Sequence, residues 1–116
     1  MCNAGRVVTL KKNKEFSFVY RRGKPSGTKN ILCLCAKSRF GGLRVGFVVS
    51  KKVGNAVVRN LWRRRLKEAW RLLLPELSGN FCVLLIARPG LADVSYAQAA
   101  RELRSVLKKQ GLLQPR

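Results

Sequence analysis

Gly46-Phe47-Val48-Val49-Ser50-Lys51-Lys52-Val53-Gly54-Asn55-Ala56-Val57-Val58-Arg59-Asn60 changes character twice along its length. It opens inside an apolar strand running from Leu43 to Ser50, in which Leu43, Val45, Phe47 and Val49 share one face because strand side chains alternate. Lys51 to Asn55 then form a basic loop containing glycine. From Ala56 to Leu74 the pattern is helical: Trp62, Leu66, Ala69 and Leu73 make an apolar stripe, with Trp70 at its edge. Pro75 stops this helix, since proline lacks the N–H and clashes with the preceding turn.

Upstream, Ile31 to Lys37 is another apolar strand, and Arg39-Phe40-Gly41-Gly42 reads as the turn joining it to Leu43–Ser50 in an antiparallel hairpin. Asn13 caps a short helix from Lys14 to Tyr20, with Phe16, Val19 and Tyr20 on one side and Gly23 and Pro25 closing it. Downstream, Phe81 to Ala87 is almost wholly apolar, as a strand buried on both faces requires, and Pro89-Gly90 ends it. Ser95 and Gln98 have capping-box spacing, with Val94 and Ala99 placed as a hydrophobic staple. The last helix therefore runs from Tyr96 to about Lys109 and buries Ala99, Leu103, Val106 and Leu107. Helix, two strands, helix, strand, helix, with a further short strand near the N-terminus, make an α/β (α+β) two-layer sandwich of a small sheet against helices. No repeat or linker divides the chain, so residues 1–116 form one domain, with 1–9 and 111–116 as tails.

The chain carries 25 Lys and Arg against 5 Asp and Glu, a net charge of +20, while 47% of its residues are hydrophobic, enough to fold. Such a charge repels itself in the folded state and is relieved by a polyanion; nucleic acid fits best, because each phosphate contact releases counterions. No run of residues is long and apolar enough to span a bilayer, and Met1-Cys2-Asn3-Ala4-Gly5-Arg6 lacks the apolar stretch of a signal peptide, so the cytoplasm is the expected compartment and no membrane partner is expected. Cys33 and Cys35 lie two apart in a strand, on one face but too far apart for easy bridging; with no His and no Cys-x-x-Cys pair, buried free thiols are expected for the cysteines and no metal site. The chain has no His, one Asp (Asp93), and Glu15, Glu68, Glu76 and Glu102 scattered without a shared motif, so no catalytic side chains are expected.

On the long helix Asn60, Arg63, Arg64, Lys67 and Arg71 face away from Trp62 and Leu73, and Glu68 is the one acid. Cations near the N-terminus oppose the helix dipole, an arrangement that an arriving anion reverses, since backbone N–H groups and arginine forks then converge on it.

The quoted stretch, together with Leu10-Lys11-Lys12-Asn13-Lys14-Glu15-Phe16-Ser17-Phe18-Val19-Tyr20 and Ile86-Ala87-Arg88-Pro89, closely resembles the protein subunit of bacterial ribonuclease P, in order and spacing over most of the chain. The resemblance implies a four-stranded mixed sheet with three helices and a left-handed strand-helix-strand crossover, against the usual right-handed preference. It implies a catalytic RNA subunit with magnesium at the cleavage site, removing the 5′ leader from precursor tRNA. The protein would bind that RNA through Lys51, Lys52, Asn55, Arg59, Asn60, Arg63, Arg64 and Lys67, and the leader through a cleft with Phe16, Tyr20, Lys52 and Arg88, needing no obligate protein partner. The third residue of the family's Arg-Asn-Arg signature is Leu61 here, and Arg65, one turn on, is the candidate for the missing cation. Phe16 suits core and cleft equally, whereas the Tyr20 hydroxyl favours the wetter cleft. A structural RNA-binding protein, such as a ribosomal component or RNA chaperone, is the alternative on charge and size, and a sequence-specific DNA binder a more distant one.

Overall fold

The computed structural model describes residues 8–10, 13–38 and 42–113. Helix α1 spans Asn13–Arg22; strands β1 Lys24–Gly27, β2 Ile31–Lys37 and β3 Leu43–Val49 follow; then come α2 Ala56–Leu73, β4 Phe81–Ala87 and α3 Tyr96–Lys109. Arg39, Phe40 and Gly41 of the expected turn, Cys2, and the outer parts of both expected tails (1–7 and 114–116) lie outside the described residues.

The sheet order is β1-β2-β4-β3, which corrects the expected hairpin: β2 and β3 do not pair. Strand β4 lies between them, antiparallel to β2 and parallel to β3. The physical reason is in β4 itself. Its unbroken apolar run is best satisfied with neighbours on both edges and cover on both faces, so it takes the central position. The β2–β3 connection has only to step over one strand, and it is pinned there by Asn80: the backbone of Ser38 donates to the Asn80 carbonyl, and Gly42 N–H donates to Asn80 Oδ1 at 2.7 Å. Pro25 lies in β1 at the sheet's edge, where a missing N–H costs little. The far edge, β3, is covered by Val8–Leu10: Leu10 N–H donates to Val45 O and Val45 N–H to Val8 O.

Helices α2 and α3 pack on one face over a core that includes Trp62, Leu66, Trp70, Leu103, Val106 and Leu107. Trp70 is 1% exposed, not at the stripe's edge as its wheel position suggested, because α3 closes over that side of α2 as well. Helix α1 lies alone on the other face, over a smaller cluster of Leu10, Val19, Cys82 and Leu84, so the sandwich gains a partial third layer. Ser95 caps α3 by accepting from Gln98 N–H at 3.1 Å, as its spacing predicted. At the other end Gly111, at φ +76°, reverses the chain: Gly111 N–H bonds Lys108 O and Leu112 N–H bonds Leu107 O, the paired bonds of a Schellman cap. Leu112 is thereby fully buried and Leu113 pairs with Leu77, so residues 111–113, like Thr9, are docked parts of the fold rather than tail.

Cys33, Cys35 and Cys82 are buried free thiols. Burial, with the neighbouring thiol adding to it, pushes Cys33 up to about 12 and Cys35 up to about 11.

A buried polar knot joins α3 to the β1–β2 turn. The Glu102 carboxylate accepts from Thr28 Oγ1 at 2.5 Å, Asn30 N at 3.2 Å, Asn30 Nδ2 at 2.8 Å and Gln98 Nε2 at 3.1 Å. Burial works to raise its pKa, but the donors from Thr28, Asn30 and Gln98 together prevail and hold it below the usual carboxylate value. A depressed folded pKa contributes stability above the unfolded value of about 4.3 and loses it as pH falls through the folded one. Glu102→Gln is therefore expected to cost about 2 kcal/mol at pH 7, where a donor faces donors, and clearly less at pH 3. Urea unfolding of both proteins at the two pH values measures this difference; equal gaps at both would remove the assigned role of the charge.

Candidate RNA interface

The loop ahead of α2 aims its basic residues. Val53 is buried and its N–H bonds Ser50 O, which folds Lys51 and Lys52 outward into solvent. Asn55, in extended conformation, caps α2 by accepting from Val58 N–H at 3.0 Å. Gly54 has no Cβ because Val58 would meet it at 2.8 Å. With Trp62, Leu66, Ala69, Trp70 and Leu73 buried, the helix must show Asn60, Arg63, Arg64 and Lys67 to water.

The acids do not neutralise this face. Glu68 pairs with Arg71 one turn on, which takes Arg71 out of the cluster that the helical wheel suggested. Glu15 pairs with Arg44 and Glu76 with Arg104, while Glu102 is held in the buried knot. Each glutamate thus serves the fold, and the excess positive charge remains on the surface. Arg63 bonds Asn60 Oδ1 at 2.9 Å and leans toward the end of β3. Arg59 is half-buried, and its Nε is fully buried with no acceptor among the described residues. An N–H left in that state costs about 1–3 kcal/mol. Arg65 sits on the opposite flank of the helix, its guanidinium 4.8 Å from the Trp62 ring centroid.

Beside this face lies a hollow of about 290 Å³, lined by Phe16, Gly46, Phe47, Arg63, Arg64 and Lys67 among others. Gly46 creates it. A Cβ there would meet Phe16 Cε1 at 2.8 Å and Leu84 Cδ1 at 2.9 Å, so only glycine lets the Phe16 ring lie against β3. Phe16 is half-buried against the small cluster and also lines the hollow. Tyr20, one turn further along α1, is 53% exposed and stands outside the hollow. Lys52 and Arg88 are exposed and also stand apart from it. The Arg88 side chain lies over the backbone of Gly27 on the β1–β2 side. The structure thus brings Phe16 together with Arg63, Arg64 and Lys67, and spreads Tyr20, Lys52 and Arg88 around them.

Sequence reasoning missed an apolar row on the sheet. The strand register puts Leu32, Ile86 and Val48 side by side across β2, β4 and β3, one row beyond Leu34, Leu84 and Gly46. The first row is half-buried, whereas Leu84 in the second is fully buried. The available signal was the apolar alternate positions Leu32 and Leu34 on a strand whose other face already carried Ile31, Cys33 and Cys35. Sheet order was needed to see that they line up.

The family model described as Ribonuclease P matches residues 5–111. The chain belongs to the ribonuclease P protein family. It is 39% identical over 109 residues to the ribonuclease P protein component of Natranaerobius thermophilus, covering 94% of this chain and 95% of that protein. To the protein component of Clostridium botulinum strain 657 it is 40% identical over 104 residues, covering 89% of this chain and 94% of that one. Among solved structures it resembles the Staphylococcus aureus RNase P protein, with a TM-score of 0.86 at 26% identity, over 94% of this chain and all of that one. The Thermotoga maritima RNase P protein gives a TM-score of 0.80 at 25% identity, over 87% and 96% of the two chains. A ribonuclease P protein component is one part of an endoribonuclease that contains RNA, so family membership makes ribonuclease P RNA this chain's partner. Among the described residues no helix is long and apolar enough to cross a membrane.

Proposed function

We propose that this chain binds the catalytic RNA of ribonuclease P through the basic face of α2, binds the 5′ leader of precursor tRNA along the cleft beside it, and so assists magnesium-dependent removal of that leader in the cytoplasm. The observation that carries this reading is the hollow in which Phe16, seated on Gly46, meets Arg63, Arg64 and Lys67. An aromatic face beside cations suits a single strand of variable sequence, because stacking contributes about 1–3 kcal/mol per base with little preference among bases. The half-buried row Leu32, Ile86 and Val48 extends an apolar floor toward Arg88, long enough for more than one nucleotide.

In this reading the bond is cut by the RNA, with magnesium held by RNA phosphates. Among the described residues no three carboxylate, thiolate or imidazole groups cluster as metal ligands, and the glutamates are engaged in the contacts given above. The protein's own contribution is electrostatic and positional. Its cations screen repulsion between two phosphate backbones, which lowers the magnesium needed to bring them together. Its cleft adds affinity that precursor tRNA enjoys and mature tRNA does not. Arg65, the candidate to replace the cation missing at Leu61, lies over Trp62 on the other flank of α2 and is given no contact in this reading.

The leader contact is tested with the reconstituted complex. Affinity for precursor tRNA is expected to exceed that for mature tRNA by tenfold or more, and shortening the leader to one or two nucleotides should erase the gap. Gly46→Val, which drives Phe16 off the strand, should reduce the same gap about tenfold while RNA-subunit affinity stays unchanged. Discrimination that survives both changes would contradict the cleft assignment.

A further inference from the structure

Helix α1 carries aromatic residues on two sides. Phe16 and Tyr20 share one side, and Phe18, two residues from each, points nearly opposite, with Arg22 one turn beyond it. Phe18 is 36% exposed and lines a second hollow, of about 450 Å³, together with Arg22, Lys24, Lys37, Phe81 and Gln110. We propose that this hollow is a second single-stranded RNA site, in which a base stacks on Phe18 and the flanking phosphates lie on Arg22, Lys24 and Lys37.

The walls are fixed. Phe81 is held over Gly79, whose positive φ and missing side chain give the ring its place. Gln110 Nε2 donates to Lys24 O at 2.6 Å, tying the end of α3 to the edge strand. No acidic side chain lines the hollow, and among the described residues Arg22, Lys24 and Lys37 have no acidic partner. Simpler purposes explain single residues: Arg22 complements the C-terminal dipole of α1, and a lysine on an edge strand discourages intermolecular pairing. Neither explains a solvent-facing phenylalanine among three uncompensated cations. The volume accepts a nucleoside. An acidic peptide would answer the cations but leave the flat ring uncovered, whereas a nucleotide answers both. The site is separated from the leader cleft by the body of α1, and the argument for it stands apart from the proposed function.

The test uses the full chain and a single-stranded pentanucleotide carrying 4-thiouridine, crosslinked by light and mapped by mass spectrometry. Adducts are expected at Phe18 or Phe81 as well as along the cleft. Lys24→Glu with Lys37→Glu, both at exposed positions, should remove the Phe18 and Phe81 adducts and leave cleft adducts in place. Phe18→Ala should lower the affinity of this site about tenfold. Adducts confined to the cleft and α2, Phe18 and Phe81 adducts that persist in the glutamate variant, or equal displacement by an acidic pentapeptide would each overturn the proposal. Any of these would leave discrimination between precursor and mature tRNA intact, so the two readings fail separately.

Discussion

Replacing Arg63, Arg64 and Lys67 together by alanine is expected to lower affinity for ribonuclease P RNA about a hundredfold at physiological salt. The three side chains are exposed on one side of α2 and share the hollow with Phe16. Each phosphate contact releases roughly 0.9 of a counterion, which at such salt amounts to about 1 kcal/mol per contact. The plot of log affinity against log salt should flatten by about 2.5 to 3, and thermal stability should hardly change, since exposed cations at these positions oppose no described acid. Arg71→Ala is the internal control: its guanidinium is occupied by Glu68, so it should move affinity far less. Filter binding over a salt series gives both quantities. A triple variant with an unchanged slope would place the RNA elsewhere on the protein.

Trp62→Ala should have the largest effect on the fold. Trp62 is 2% exposed in the main core between the sheet and α3, and removing a buried indole costs about 3–5 kcal/mol through lost transfer energy and the cavity left behind. Domains of this size have roughly 5–15 kcal/mol in total, so the variant sits near the unfolding threshold at 37 °C. The substitution also removes the platform under Arg65. Denaturant unfolding reads the loss directly; a cost below about 1 kcal/mol would mean that α2 is not held by the stripe which orients its basic face.

What the sequence revealed divides along a physical line. Local chemistry was legible: Ser95 caps α3, α2 begins at Ala56, and β4 is apolar from end to end because it is central, although the Asn55 cap of α2 went unread. Long-range partnership was not. A glycine-containing connection between two strands is compatible with adjacent pairing or with stepping across a third, and only competition for the central position, which β4 wins, decides it. Trp70 looked marginal on a wheel that considers one buried side, yet α2 is covered by both sheet and α3. On α2, helical periodicity put Asn60, Arg63, Arg64, Lys67 and Arg71 on the exposed face, where all five lie, but a wheel does not report that Arg71 pairs with Glu68. The Phe16 seat required knowing that Gly46 lies beneath it, thirty residues away in sequence, and the row Leu32–Ile86–Val48 exists only through the register of three strands. The resemblance to ribonuclease P proteins, carried by the strand–loop–helix stretch that also organises the fold, holds over residues 5–111.

The central claim is that this protein enables an RNA to cut at magnesium concentrations where the RNA alone is nearly silent. The measurement is single-turnover cleavage of precursor tRNA by ribonuclease P RNA at low magnesium, with the chain absent, present, and present as the Arg63, Arg64 and Lys67 alanine variant. The account predicts rapid release of the 5′ leader with the wild-type chain, little with RNA alone, and rescue of the variant only when protein or magnesium is raised. No stimulation by the wild-type chain, or equal stimulation by the variant at limiting concentration, would contradict it.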